Sequence, residues 1–181
     1  SLAIGSFVAS GAGAGMTAKL GAAKIVQIGI ALELLGVLAI GLVISPTVAI
    51  WQLAVALFIY GMGVGLATAQ LTGVILVDVP VERSGQASGM QSTSRQLGSA
   101  LGIAILGSVL FSSFSKELGN IPQAKPLVKS AGSLINQMPL DVKQLASSAF
   151  STAAANSAYI AAAFLFIGFL ATFSLGSSRS K

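Results

Sequence analysis

From Ile25 to Ile44 the chain carries one charged residue, Glu33, in an otherwise apolar run. A bilayer core of about 30 Å takes about 20 helical residues at 1.5 Å each, so a run of this character belongs in lipid. Comparable runs cover 50–77, 91–111 and 156–175, although the strictly apolar part of the third is Leu97 to Phe111. A shorter glycine-rich run covers 2–15. Strands of a β-barrel would alternate over segments of about ten residues. These segments are continuous and longer, so helices are predicted. The fold class is therefore all-α, a polytopic transmembrane helix bundle. We read residues 1–181 as one membrane domain with spans at about 1–15 (partial), 25–44, 50–77, 91–111 and 156–175. The chain opens Ser1-Leu2-Ala3 inside an apolar run, with no Met and no basic stretch. That is not a signal peptide, which starts with positive charge. The expectation is a fragment cut within a spanning segment.

Composition closes off the other classes. Charged residues are 8% of the 181, against about 25% in soluble domains, so a normal solvated surface cannot be built. Cys and His are both absent. Thiolate nucleophiles, disulfides, iron–sulfur clusters, imidazole metal ligands and the usual serine-hydrolase triad are excluded with them. The reading is not an enzyme, with no metal, no cofactor and no nucleic-acid partner; its surroundings are membrane lipid.

The span boundaries carry their own signals. Pro46 within Ser45-Pro46-Thr47 stops one helix, and Trp51 opens the next at a position suited to the membrane interface. Asp78-Val79-Pro80 ends that span, and a polar segment follows. Residues 112–155 hold Lys116, Glu117, Lys125, Lys129, Asp141 and Lys143 with three prolines, and read as a long polar loop lying on the membrane. Within it, Leu134, Ile135 and Met138, and then Leu145 and Phe150, fall at roughly helical spacing and predict one or two short amphipathic helices. Alternating spans put Lys19, Lys24, Arg83, Arg179 and Lys181 on one side, with Arg95 just inside it. The short opposite turn at 45–49 has no basic residue. The positive-inside rule makes the first side cytoplasmic and the long loop external.

Few side chains are left that could carry chemistry. Glu33 lies roughly 12 Å into its span at 1.5 Å per residue. A carboxylate at that depth is costly and faces a bundle interior or a water path. Gly29 and Gly36 flank it on one helical face, where small residues admit a close neighbour. A carboxyl that exchanges protons is what a proton-coupled carrier needs; the structural alternative is a protonated Glu bonded to the next helix. Arg95 falls near the inner interface beside Gln91, Ser92, Gly98 and Ser99, and its side chain can snorkel to phosphates. Its depth differs from that of Glu33 by roughly 8 Å on the same rise, which argues against a direct pair. Asp78, Glu82 or a segment elsewhere is the better partner. Gln70 is a candidate for a substrate path or an interhelical hydrogen bond. Small-xxx-small pairs at Gly61 and Gly65, Gly85 and Gly89, and Gly98 and Gly102 predict helix packing, the first continued by Thr68 and Thr72.

Longer stretches carry a resemblance. The runs Gly61-Met-Gly-Val-Gly65, Val77-Asp-Val-Pro80, Glu82-Arg-Ser-Gly-Gln-Ala-Ser-Gly89 and Ser94-Arg-Gln-Leu-Gly-Ser-Ala-Leu-Gly-Ile-Ala-Ile-Leu-Gly107 resemble the C-terminal part of major facilitator superfamily transporters. More closely, they look like the fourteen-helix drug/proton antiporters of the EmrB/QacA type. The resemblance implies part of the C-terminal half of a major facilitator fold, a cytoplasmic loop at 78–90, an external loop at 112–155 and a cytoplasmic C-terminus. A gating motif of that family is only half kept. In Ala14-Gly-Met16-Thr-Ala18-Lys19-Leu-Gly21-Ala22, Ala18 stands where the family has an acid and Ala22 where it has a second Arg.

The expected function is thus a fragment of a proton-coupled multidrug efflux transporter of a bacterial inner membrane, working by alternating access. Its partners would be protons, a small amphipathic or cationic substrate, and the missing N-terminal half of the same transporter. A same-fold carrier of another solute (lipid, siderophore or metabolite) and a non-transporting membrane scaffold are the alternatives.

Overall fold

The computed structural model describes residues 1–76, 79–119, 121–122 and 124–177. The described residues form an all-α polytopic helix bundle and contain no strand. In chain order the helices are α1 (Leu2–Leu20), α2 (Ala22–Val43), α3 (Ile50–Leu76), α4 (Ser84–Leu118), α5 (Ala124–Lys129) and α6 (Leu140–Ser177), with single 3-10 turns at Val81–Arg83 and Ile135–Gln137. Among the described residues, four helical segments are long and apolar enough to cross a membrane: Ala22–Val43, Ile50–Ile75, Val81–Leu118 and Leu140–Phe173. The apolar part of α1, Leu2–Gly13, is shorter.

The expected connection around 16–24 contracts to one residue. Gly21 has φ 81° and ψ 149°, a conformation that a Cβ would strain, and it separates α1 from α2 with helix on both sides. Lys19 and Lys24 sit in the flanking helical turns.

Packing has a definite order. α1 lies parallel to α3, α3 is antiparallel to α2, α2 is antiparallel to α6, and the C-terminal half of α4 is antiparallel to the N-terminal half of α6. The first half of α4 leaves α6 and returns beside the end of α3, where it touches lightly. Helices in lipid gain little from hydrophobicity against one another, so contact depends on close backbone approach and polar links. Three of these interfaces carry a polar link. Ser10 donates to the Gly65 carbonyl at 3.2 Å between α1 and α3. Gln27 donates to the Thr172 carbonyl and Tyr159 to the Gly41 carbonyl, both at 3.2 Å, pinning α2 to α6 near each end. Ser157 reaches the Leu106 carbonyl at 3.5 Å between α6 and α4.

Residues 112–155, read as a long polar loop holding one or two short amphipathic helices, are largely helical. α4 continues to Leu118, and α6 starts at Leu140. At 35 and 38 residues, these helices reach about 52 and 57 Å, well past the hydrocarbon thickness. Their projecting ends close on α5 around a small core of Phe114, Leu118, Ala124, Leu127, Ala146, Ala149 and Ala153. Phe114 and Phe150 meet edge to face, with ring centroids 5.4 Å apart. Leu134, Ile135, Met138 and Phe150, recognised by their spacing, do pack on this core. Leu145 stays exposed. The segment is a folded cap because its apolar residues find one another rather than the lipid.

Candidate transport cavities

Glycines decide how closely α3 meets its neighbours. A Cβ on Gly29 would stand 2.6 Å from the Ala67 amide nitrogen, and one on Gly36 2.6 Å from Tyr60 Cα, so both α2 glycines carry a backbone-close contact with α3. Gly61 and Gly65 face α1 instead, against the carbonyls of Leu2 and Ser6. Between them Gly63 turns to α2, where a Cβ would meet the Glu33 amide, the Gly29 carbonyl oxygen at 2.6 Å and Glu33 Cγ at 2.7 Å. Gly61 and Gly65 lie four residues apart and share a face; Gly63, two residues from each, points about 200° around the helix. The Gly61–Gly65 run therefore serves two interfaces at once. Gly85, Gly89, Gly98 and Gly102 on α4 have nothing within 4 Å of a built Cβ. The packing expected of Gly98 and Gly102 is not made among the described residues.

The close α2–α3 contact holds Glu33 in place. The residue is half-buried and lines a cavity of about 330 Å³ with Val26, Ile30, Ala67, Thr68, Leu71, Phe164, Leu165 and Gly168. Three helices, α2, α3 and α6, wall it. Thr68 is the other residue with a polar side chain in this lining.

A larger groove of about 930 Å³ opens between the end of α3 and the start of α4. Its α3 side presents Thr68, Leu71, Thr72 and Ile75, and its α4 side Gln86, Ala87, Met90, Gln91, Ser94 and Arg95; Val79, Pro80 and Arg83 close the connector end. Gln91 Nε2 donates to Thr72 Oγ1 at 3.2 Å across it. Thr68 and Leu71 line both cavities.

The predicted candidates thus separate. Glu33 and Arg95 occupy different cavities that share an α3 wall, consistent with the depth argument against a direct pair. Gln70 lines neither. It points to α1, where a Cβ on Gly13 would lie 3.8 Å from its Nε2. Asp78, proposed as a partner of Arg95, and the basic tail at Arg179 and Lys181 lie outside the described residues. Glu82 is exposed and does not line the groove. Thr68 and Thr72 were legible only as a continuation of the small-residue spacing. The α4 lining recurs at three- and four-residue steps from Arg83 to Arg95, a helical-face signal that polar residues made easy to overlook.

Comparison with known proteins gives the arrangement a context. The chain is 37% identical over 95 residues to the multidrug resistance protein Stp of Mycobacterium tuberculosis, covering 52% of this chain and 17% of that protein. It is 34% identical over 61 residues to the probable actinorhodin transporter of Streptomyces coelicolor, covering 34% of this chain and 11% of the relative. The chain therefore corresponds to a small share of the length of each curated relative. No family model and no solved structure matches it. The chain is thus similar in part to proteins named as transporters, and four of its described helices have the length and composition of membrane spans.

Proposed function

We propose that this chain is part of the C-terminal half of a proton-coupled multidrug efflux carrier of the major facilitator type, in a bacterial inner membrane. The observation that carries the reading is the 37% identity to a multidrug resistance protein. The cavities fit it. Glu33 supplies a carboxyl at membrane depth, walled by three helices, that can be recharged from a water path. The α3–α4 groove supplies a lined space for an amphipathic molecule. The basic residues put the groove end of the bundle in the cytoplasm and the folded cap outside. Alternating access would rock this bundle against further helices of the transporter. The open α4 face bearing Gly98 and Gly102 is the surface that would receive them.

Energised efflux of a dye panel from cells or inverted vesicles carrying the full-length transporter tests the reading. The expected result is export that collapses with the proton gradient and an E33Q variant whose export no longer responds to that gradient. Absence of energised export of every dye overturns the efflux assignment. An unchanged pH profile and rate in E33Q removes the proton role from Glu33.

A further inference from the structure

The α3–α4 groove has a chemistry that the efflux reading leaves unspecified. Its lining contains two cations, Arg83 and Arg95, and no carboxylate among the described lining residues. The antiparallel register is anchored where Gln91 meets Thr72. Thr68 and Arg95 each lie one turn further in on their helices, and both line the groove. Most polar side chains of the lining crowd the inner stretch, Thr68, Thr72, Gln91, Ser94 and Arg95, with Leu71 among them. An apolar waist of Ile75, Ala87 and Met90 follows, with Leu71 one turn in from Ile75, and Gln86 and Arg83 stand toward the mouth beside Pro80. Leu71, Ile75 and Met90 are exposed to this space, Met90 at 74%. The order of donors, apolar waist and mouth matches a molecule with a charged head and an apolar body.

We infer that the groove binds an amphipath with an anionic head, a carboxylate or phosphate, and that Arg95 receives the head while the Ile75–Ala87–Met90 waist receives the body. A guanidinium presents a planar fork of donors to either oxyanion. The neighbouring hydroxyls and amide can complete the anion's shell. Arg95 rather than Arg83 takes the head because the polar donors cluster around it. The same chemistry is offered by an acidic export substrate and by an anionic lipid. The inference borrows from the efflux reading only the word substrate, and its test measures binding.

The probe is dansylaminoundecanoic acid, compared with its methyl ester, which has the same body and no charge. Both are titrated into the purified protein in neutral detergent by dansyl fluorescence. The acid is expected to bind about tenfold or more tightly than the ester, with the advantage shrinking as salt rises. R95A and R95Q should erase the preference, R95K should keep most of it, and R83A should change it by less than about threefold. M90W, at an exposed position, should block both probes by filling the waist. Displacement of the acid by phosphatidylglycerol but not phosphatidylcholine assigns the site to lipid, whereas displacement by free fatty acid alone assigns it to substrate. Equal binding of acid and ester overturns the inference, as does an R95A protein of unchanged helicity and melting that keeps the preference. An R83A protein that loses it while R95A does not overturns the placement of the head. Loss of dye export with acid binding intact would sink the efflux reading and leave the groove assignment standing.

Discussion

Replacing Gly63 by Ala puts the α2–α3 contact under direct load. A methyl group there would sit 2.6 Å from the Gly29 carbonyl oxygen and 2.7 Å from Glu33 Cγ, where ordinary contacts begin at 3.4 Å. The Gly29 atom and the Glu33 amide are backbone, so no rotamer change relieves the clash, and the helices must part by roughly 0.8 Å. A gap of that size forfeits about a quarter to a half of the dispersion energy of the atoms it separates. The loss extends along the contact from Gly29 against Ala67 to Gly36 against Tyr60. Overpacking of this kind costs about 1–3 kcal/mol, here near the upper end. Ala returns up to about 1 kcal/mol of helix propensity. The net expectation is a loss of about 2 kcal/mol, a roughly thirtyfold shift of the unfolding equilibrium. Gly73 on the same helix has nothing within 4 Å of a built Cβ, so G73A should be neutral or stabilising by up to about 1 kcal/mol. Unfolding in mixed micelles with rising dodecyl sulfate, followed by circular dichroism, measures both. A G63A protein as stable as wild type, or a G73A protein as destabilised as G63A, would refute the packing argument.

Three further outcomes follow from single contacts. L127A removes a fully buried side chain from the cap core; a loss of about 2–5 kcal/mol should show as faster amide exchange in residues 114–153, with α2 and α3 unaffected. Y159F deletes the hydroxyl that donates to the Gly41 carbonyl and should cost about 0.6 kcal/mol, at most about 1.7, in the same unfolding titration; a larger loss would mean the ring packing had changed too. E33Q keeps the shape of the cavity side chain and removes its titration. Efflux measured as a function of pH should flatten in this variant while wild type responds.

Much of this architecture was written in the sequence. The apolar stretch of each long helix follows from the length of the apolar runs, and one helix end from Pro46, because lipid leaves backbone polar groups no other partner; α4 and α6 extend well beyond their runs. Glu33 marked itself by its cost, and Gly29 and Gly36 by their place beside it. Rotation of the helices about their own axes was not legible. Lipid tails and neighbouring helices are equally apolar, so an apolar residue does not announce which it will face. Tertiary packing therefore decided that Gly61 and Gly65 meet α1 while Gly63 meets α2, that Gln70 turns away from both cavities, and that Gly98 and Gly102 face open space. It also decided that Thr68 stands in the wall between the carboxyl and the arginine. In residues 112–155 the helical spacing was legible and the core was not. Their charges read as a solvated loop, but a few apolar residues far apart in sequence, Phe114, Leu127 and Phe150 among them, were enough to close a core that only three-dimensional proximity creates.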